Sequence, residues 1–273
     1  MRTAITPLQL RRPKTIHDAL NMLRDDPGLV PIAGCTDLYV AVNFGTLTGT
    51  KFLDLWPLDP LRRITATDDT LSIGAMATFT DIIWSRNVRK RVPMLVEAAK
   101  LIGGPQIQNR GTIGGNVANG SPAGDSLPVL AAADAMIVLR SAADDRRVKF
   151  TEFYTGYRQS VRQPDELIVA IEIRRQSGTQ WFRKVGTRAA QAISKVMIAA
   201  VRDARPRIAL GSVAATTVRV PKTEQALAGG ASIDEAVRVF EKEITPIDDV
   251  RSTAHYRKTV ASNLLRRFWA DTT

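Results

Sequence analysis

The sequence has few of the side chains that build metal centres and disulfide bonds. It contains a single cysteine, Cys35, so the chain forms no internal disulfide and cannot alone hold an iron–sulfur cluster, which usually needs several thiolates. Its two histidines, His17 and His255, lie far apart with no metal-ligand pattern around them. We therefore expect no metal site on this chain, and we expect both histidines to be structural or to face solvent.

Long apolar runs are also missing. No stretch approaches the roughly 20 apolar residues that span a bilayer, and the opening MRTAITPLQLRRPK lacks the apolar core of a secretory signal. We expect a soluble protein with no membrane span and no export signal of its own.

The net charge of +11 permits an interaction with nucleic acid. The densest basic group, however, has only Trp84 beside it, and no nucleic-acid-binding module signature follows. This group consists of Arg86, Arg89, Lys90 and Arg91. We favour a solvated face, or docking to a more acidic protein, over binding to nucleic acid.

The length and the 44% of hydrophobic residues indicate a folded protein with two or three compact units. Apolar residues follow Thr15 at helical spacing, so we expect Thr15 to cap a helix that ends near residue 26. Further helices are expected to begin at Thr80 and Pro93. Strands are expected at residues 29–33, 51–55, 70–77, 135–139 and 167–173.

The pattern changes after residue 176, where Gln-Ser-Gly interrupts the strand signals. Residues 183–185 and 207–213 suggest antiparallel strands, and Ser232 with Glu235 forms a capping box for a helix. A last amphipathic helix is marked by Tyr256, Val260, Leu264 and Phe268. We place a domain boundary here, giving residues 1–176, with lobes of about 1–56 and 57–176, and residues 177–273.

Two segments carry the chemistry of a binding site. The first site segment, residues 32–37 (Ile-Ala-Gly-Cys-Thr-Asp), lies at a strand-to-loop junction. The second site segment, residues 111–116 (Gly-Thr-Ile-Gly-Gly-Asn), lies in a region poor in large apolar side chains. Glycines let backbone N–H groups approach an anion, and a hydroxyl from Thr112 and an amide from Asn116 suit a pyrophosphate. A purely structural turn stays equally open on these residues alone.

Several standard sites are excluded. No Gly-Lys-Ser/Thr ends the glycine run, and the G-x-G-x-x-G dinucleotide fingerprint is absent. No Ser-His-Asp order, paired-carboxylate site or G-x-S-x-G motif appears, so we expect no catalytic acid, base or nucleophile.

The order of the motifs resembles the FAD-binding subunits of the xanthine dehydrogenase and carbon monoxide dehydrogenase family of molybdenum hydroxylases. Residues 31–38 resemble that family's A-G-G-T-D-L loop, and residues 106–125 resemble its Q-I-x-N-x-G-T-I-G-G-N-x-x-x-x-S-P-x-x-D segment. The similarity continues through residues 164–168, 183–188, 245–251 and 256–257, and so spans nearly the whole chain.

This resemblance implies an α+β fold, with a two-lobed FAD-binding domain of the vanillyl-alcohol-oxidase/PCMH type followed by a smaller α+β domain with an antiparallel sheet and helices. FAD would lie between the lobes, with its pyrophosphate held by the two site segments. The residues implied are Ile32, Ala33, Gly34, Cys35, Thr36 and Asp37 in the first segment and Gly111, Thr112, Ile113, Gly114, Gly115 and Asn116 in the second.

The resemblance assigns further residues to the cofactor. Asp125 corresponds to an aspartate at the adenosine end, although aspartate after Ser-Pro is also a common turn or cap residue. Ile168 corresponds to a residue beside the adenine, and it fits an ordinary core position equally well. Lys184 corresponds to a lysine near the flavin ring, although strand lysines are more often exposed. Ile102 and Gly103 correspond to positions close to the isoalloxazine, where Gly103 also suits a plain turn.

Cys35 departs from the family pattern, because it replaces the second glycine of A-G-G-T-D. A positive φ at this residue would cost about 1 kcal/mol or more in a cysteine. We expect a small buried thiol without a redox role, since the chain offers no partner thiol.

The resemblance also implies partners. Substrate would be hydroxylated at a molybdenum-pterin cofactor on one subunit, two [2Fe-2S] clusters on another would relay electrons, and this chain's FAD would pass them to NAD, a quinone, another carrier or oxygen. A heterotrimer or its dimer is expected, in the cytoplasm, or in the periplasm if a signal-bearing partner exports it. A self-sufficient flavin oxidoreductase with its own substrate pocket, and a basic binding protein without flavin, are the alternatives.

Overall fold

A computed structural model describes residues 8–272 and has a mixed α+β architecture, as expected. Strands in the described residues form three sheets and one small hairpin. The first lobe contains, in order, β1 (Gln9–Arg11), α1 (Ile16–Asp25), β2 (Val30–Ile32), α2 (Leu38–Phe44) and β3 (Lys51–Asp54). Its sheet is parallel, with strand order β1-β3-β2.

Helix α1 forms as its sequence predicts. The Thr15 hydroxyl accepts a hydrogen bond from the backbone N–H of Asp18 at 3.0 Å, which satisfies one of the free N–H groups at the helix start. Ala19, Leu20 and Leu23 are buried on the face that packs under the sheet. The helix therefore supports β2, and β2 runs directly into the first site segment.

The second lobe is built on an antiparallel sheet with strand order β4-β5-β10-β6-β7, reached through a 3-10 helix at Asp59–Arg62. Its elements, in chain order, are β4 (Ile64–Ala66), β5 (Thr70–Gly74), α3 (Phe79–Trp84), α4 (Arg86–Arg91), α5 (Pro93–Lys100), α6 (Pro105–Gln108), α7 (Ile113–Asn119), α8 (Ser126–Ala132), β6 (Met136–Arg140), β7 (Asp145–Lys149), α9 (Phe150–Phe153), β8 (Tyr154–Gly156), β9 (Gln159–Ser160) and β10 (Leu167–Arg174).

Two sequence expectations in this lobe are corrected. Thr78, not Thr80, caps α3, because Thr78 and Asp81 satisfy each other's backbone N–H groups in a capping box. The second site segment, which by sequence suits a glycine-rich turn, instead forms the start of α7, and the short helix α6 precedes it.

The C-terminal part contains a second antiparallel sheet, with strand order β11-β12-β13-β14, and three helices. Its elements are β11 (Thr179–Gly186), β12 (Ser194–Arg202), β13 (Arg207–Gly211), β14 (Val218–Arg219), α10 (Pro221–Ala228), α11 (Ile233–Glu243) and α12 (Ala254–Asp271). The capping box of Ser232 and Glu235 is confirmed. The two strands expected from the sequence do not pair with each other, because β12 lies between them.

Helix α12 also turns a different face inward than its apolar pattern suggests. Tyr256 is exposed, and Val260 and Leu264 are half-buried. The buried positions are Arg257, Ala261, Ser262, Leu265 and Phe268. A charged residue thus lies on the core side of this helix, where its guanidinium donates to a carboxylate and a backbone carbonyl, while its Nε has no partner in the described chain.

Candidate functional site

The two lobes enclose a cavity of about 580 Å³, which is within the range of cofactor and small-molecule sites. Its walls include residues from β2, the first site segment, α7 and the start of β10. The expected site residues that line it are Ile32, Ala33, Gly34, Cys35, Thr36, Asp37, Ile102, Gly111, Thr112, Gly114, Gly115, Asn116 and Ile168. Gly103, Ile113, Asp125 and Lys184 do not line it.

The first site segment presents free backbone donors to the cavity. Within the described chain, the backbone N–H groups of residues 34–37 donate to no protein acceptor. Cys35 adopts a φ of +63°, so the segment includes the left-handed conformation that the family's glycine would adopt without strain. Consecutive amides in a turn of this kind form an anion-binding nest.

Gly34 allows the two site segments to touch. A Cβ atom at this position would collide with the carbonyl oxygen of Arg110, which immediately precedes the second segment. The Arg110 guanidinium in turn lies 3.6 Å from the centre of the Trp56 ring, at the end of the first lobe. The close approach of the lobes here therefore requires glycine at residue 34.

The second site segment uses its backbone amides differently than its sequence suggests. Thr112 caps α7 through a bond from the N–H of Gly115, while the amides of Ile113 and Gly114 donate to the carbonyl oxygens of Ala77 and Ala75. The N–H of Asn116 donates to the carbonyl of Thr112. The expectation of several free amides here is therefore wrong.

Gly114 serves packing. A Cβ atom on it would lie 2.5 Å from the Cβ of Ala75, so α7 can approach the end of β5 only with glycine there. Thr112 and Asn116 are the residues of the second segment that bring polar side chains to the cavity wall, and their Oγ1 and Oδ1 atoms already accept bonds from Gly115 and Ser126.

Asp125 and Lys184 form a buried ion pair with Oδ2 and Nζ 2.6 Å apart. Nζ also donates to the carbonyl oxygen of Leu101 at 3.1 Å. Burial raises the pKa of Asp125 to about 6, and the charge and hydrogen bond of Lys184 oppose this rise. Residues in direct contact cannot serve opposite ends of an extended dinucleotide, so the two roles that the resemblance assigned to them are incompatible with each other.

Some wall residues carry no motif in the sequence. Arg158 and Arg162 are the cationic ones, among the wall residues that the described chain contributes. Glu166, also in the wall, accepts two bonds from the guanidinium of Arg146, which lower its pKa against the effect of burial. In the sequence, Glu166 belongs to the similar segment 164–168, whereas no motif points to Arg158 or Arg162.

Residues 8–272 contain no cluster of histidine, cysteine, aspartate and glutamate that could hold a metal ion. Among the same residues, none of the helices has the length and apolar character needed to cross a membrane.

Comparison with known proteins places this geometry in context. Residues 6–175 match the sequence family described as the FAD binding domain in molybdopterin dehydrogenase, and residues 181–272 match the CO dehydrogenase flavoprotein C-terminal domain. The medium chain of carbon monoxide dehydrogenase from Hydrogenophaga pseudoflava is 32% identical over 93% of both chains. The nicotinate dehydrogenase FAD-subunit of Eubacterium barkeri is 28% identical, covering 95% of this chain and 94% of its own.

The solved structures agree. A chain of the Hydrogenophaga pseudoflava carbon monoxide dehydrogenase that lacks the Mo-pyranopterin moiety superposes with a TM-score of 0.90 at 29% identity. It covers 99% of this chain and 100% of that one.

Proposed function

Because this chain belongs to the family of FAD-binding subunits of molybdenum hydroxylases, we propose that it collects electrons from a partner subunit and passes them to an external acceptor. It is an oxidoreductase subunit with an FAD-binding domain. Bound FAD supplies the redox chemistry, since it accepts single electrons and releases a pair. The residues of this chain bind and orient the cofactor and tune its electrostatic environment.

The proposal rests mainly on the backbone N–H groups of residues 34–37, which are free of protein acceptors in the described chain and lie beside the cavity between the lobes. A diphosphate bound there would accept hydrogen bonds from N–H groups that have no protein acceptor in the described chain. Gly34 holds this nest against the second site segment. We propose that the first segment provides the backbone donors and that Thr112 and Asn116 add side-chain donors from the other lobe.

The apolar part of the wall suits the planar rings. Ile168 is 7% exposed and lines the cavity where β10 begins. From this position its side chain can pack against the adenine, as the resemblance implies. Ile102 lines the cavity at another part of its wall and can shield the isoalloxazine from water. Gly103, at a φ of +53°, turns the chain next to it.

We place Asp125 and Lys184 together at the flavin end. Lys184 is bonded to the carbonyl of Leu101, the residue before Ile102, so the ion pair lies close to the proposed ring position. The ammonium of Lys184 would favour an anionic reduced flavin there, less strongly than a free cation because Asp125 offsets part of its charge. Asp125 then orients the lysine instead of contacting the adenosine.

The proposed partners are a molybdenum-pterin subunit and an iron–sulfur subunit carrying [2Fe-2S] clusters. The single cysteine of this chain supports that division, because such clusters require several thiolates.

The experiment is purification of the complex under native conditions, followed by reduction with limiting dithionite under anaerobic conditions. We expect the purified complex to contain flavin, iron and molybdenum. The flavin absorbance should bleach as the clusters pass electrons to the flavin. Depletion of FAD should leave cluster reduction intact but stop the reduction of an added acceptor. Unchanged acceptor reduction by the flavin-depleted complex would contradict the proposal.

A further inference from the structure

Arg158 extends from the second lobe toward the first site segment. It lies in the turn between β8 and β9 with a φ of +54°, and its side chain lines the cavity. Its Nη1 atom lies 4.0 Å from Oδ2 of Asp37, the last residue of the first segment. The two side chains are 46% and 60% exposed, so the pair spans the cavity at its solvent-facing edge.

The hairpin that carries Arg158 is fixed to α7. The Tyr154 hydroxyl donates to the carbonyl oxygen of Val117 at 2.7 Å, and its ring contacts Phe150 and Phe153 edge to face. Gly120, at the end of α7, lies against this hairpin, since a Cβ atom on it would be 3.0 Å from the Tyr154 ring and 3.4 Å from the Cα of Arg158. The position of Arg158 is therefore set by the helix that begins with the second site segment.

The partner of Arg158 is easily exchanged. An exposed pair at 4.0 Å contributes little to stability, so the guanidinium can leave Asp37 for another anion at small cost. Arg162, the other cationic wall residue in the described chain, is committed to two backbone carbonyls, those of Gln163 and Glu166, each at 2.8 Å.

We propose that Arg158 binds the diphosphate of the dinucleotide and is the counter-charge that the amide nest lacks. The amides of residues 34–37 supply only partial charges, whereas a guanidinium beside Asp37 can donate two parallel bonds to phosphate oxygens. Arg158 closes the site from the second lobe and favours a dinucleotide over an uncharged flavin. This inference rests on the proposed function, because it takes FAD as the occupant.

The test is calorimetric titration of the full chain with FAD at low and high salt. The variant Arg158→Gln is expected to bind FAD about tenfold more weakly, and its affinity should depend less on salt. Arg158→Lys, which retains the charge, should keep the steep salt dependence. Arg147→Gln is the matched control, since Arg147 is an exposed arginine bonded twice to the carboxylate of Glu172 and lies outside the cavity wall.

The same substitution in an Asp37→Asn protein distinguishes contact between Arg158 and the diphosphate from mere neutralisation of the charge of Asp37. If Arg158 contacts the diphosphate, Arg158→Gln weakens FAD binding in the Asp37→Asn protein as well. The inference is overturned if Arg158→Gln no longer weakens FAD binding in the Asp37→Asn protein. It is also overturned if the wild type and Arg158→Gln bind FAD with equal affinity. Failure of the wild-type chain to bind FAD at all would instead contradict the proposed function.

Discussion

Cys35 occupies a backbone conformation that costs an L-residue free energy. Its φ of +63° lies in the left-handed region, where a cysteine is strained by about 1 kcal/mol relative to the family's glycine. Burial raises the pKa of the thiol, so the side chain stays protonated at neutral pH and reacts slowly with thiol reagents. Its Sγ atom donates to the carbonyl oxygen of Ala33 at 3.5 Å. These features support a packing role in the cavity wall.

FAD should protect Cys35 from thiol reagents, because the residue lines the proposed cofactor site. Since it is the single cysteine of the chain, the reaction with dithiobis(nitrobenzoate) reports on this position alone. At a FAD concentration of 100 Kd, the rate should fall by up to about 100-fold, because only the free protein reacts. Cys35→Gly should show no labelling and retain FAD. Equal labelling rates with and without saturating FAD would place the cofactor elsewhere.

Asp125 should make stability depend on pH. Its pKa in the folded protein, about 6, lies above the ordinary value of 3.8, so the folded state binds this proton more tightly than the unfolded state. The contribution of this group to the free energy of unfolding is therefore fully present below about pH 4 and is lost as the pH rises through about 6.

Asp125→Asn cannot titrate, so the variant should gain stability relative to the wild type as the pH rises from about 4 to 7, by a few kcal/mol at most. Urea unfolding of both proteins across this range measures the difference. A difference that does not change with pH would show that Lys184 fully offsets the burial of the carboxylate.

At the scale of elements, the sequence predicts those whose signals are local. Thr15 and the capping box of Ser232 and Glu235 mark helices where they occur, because capping involves neighbouring residues. Strand β12 escapes prediction since it is buried on both faces and shows no alternation. The amides of Ile113 and Gly114 donate to the carbonyl oxygens of residues 77 and 75, which are distant in sequence. A local motif does not reveal such tertiary partners.

The same limit applies to the cavity wall. The family motifs locate the first site segment and Ile168, whereas Arg158 lies on a short hairpin whose position depends on the Tyr154 bond to α7. Its role is visible only when the two lobes are placed together.

Arg257 should be required for the docking of α12. It is 2% exposed, and it donates to the carbonyl oxygen of Ser212 and to Oδ1 of Asp249. Arg257→Met should lower the free energy of unfolding by about 2 kcal/mol, because the carbonyl oxygen of Ser212 loses its buried donor and Asp249 loses its ion-pair partner. Arg267→Met on the same helix, where the arginine is exposed, should change it by less than about 1 kcal/mol. Similar losses in the two variants, measured by denaturant unfolding, would contradict this role.

At the scale of the whole molecule, the main hydrophobic core crosses the division near residue 176. Phe182 and Met197 of the C-terminal sheet are buried in the same cluster as Leu127 and Leu130 of α8. The division stays a prediction of the domain organisation, but the two parts share a core. The C-terminal sheet therefore stabilises the lobe that carries the second site segment.

A fragment of residues 1–176 should consequently fail to fold cooperatively, because it would expose the face of α8 that the C-terminal sheet covers. Thermal unfolding and binding of a hydrophobic dye compare the fragment with the full chain. A sharp transition and full-strength FAD binding by the fragment would show that the shared core is dispensable.

We propose that this chain holds FAD between its two lobes. The most direct measurement is titration of the purified full chain with FAD by calorimetry, with the same titration repeated on the intact complex after the flavin has been removed. We expect saturable binding of one FAD per copy of this chain in both cases. Absence of FAD binding in both titrations, or FAD binding by a different polypeptide of the complex, would contradict this proposal.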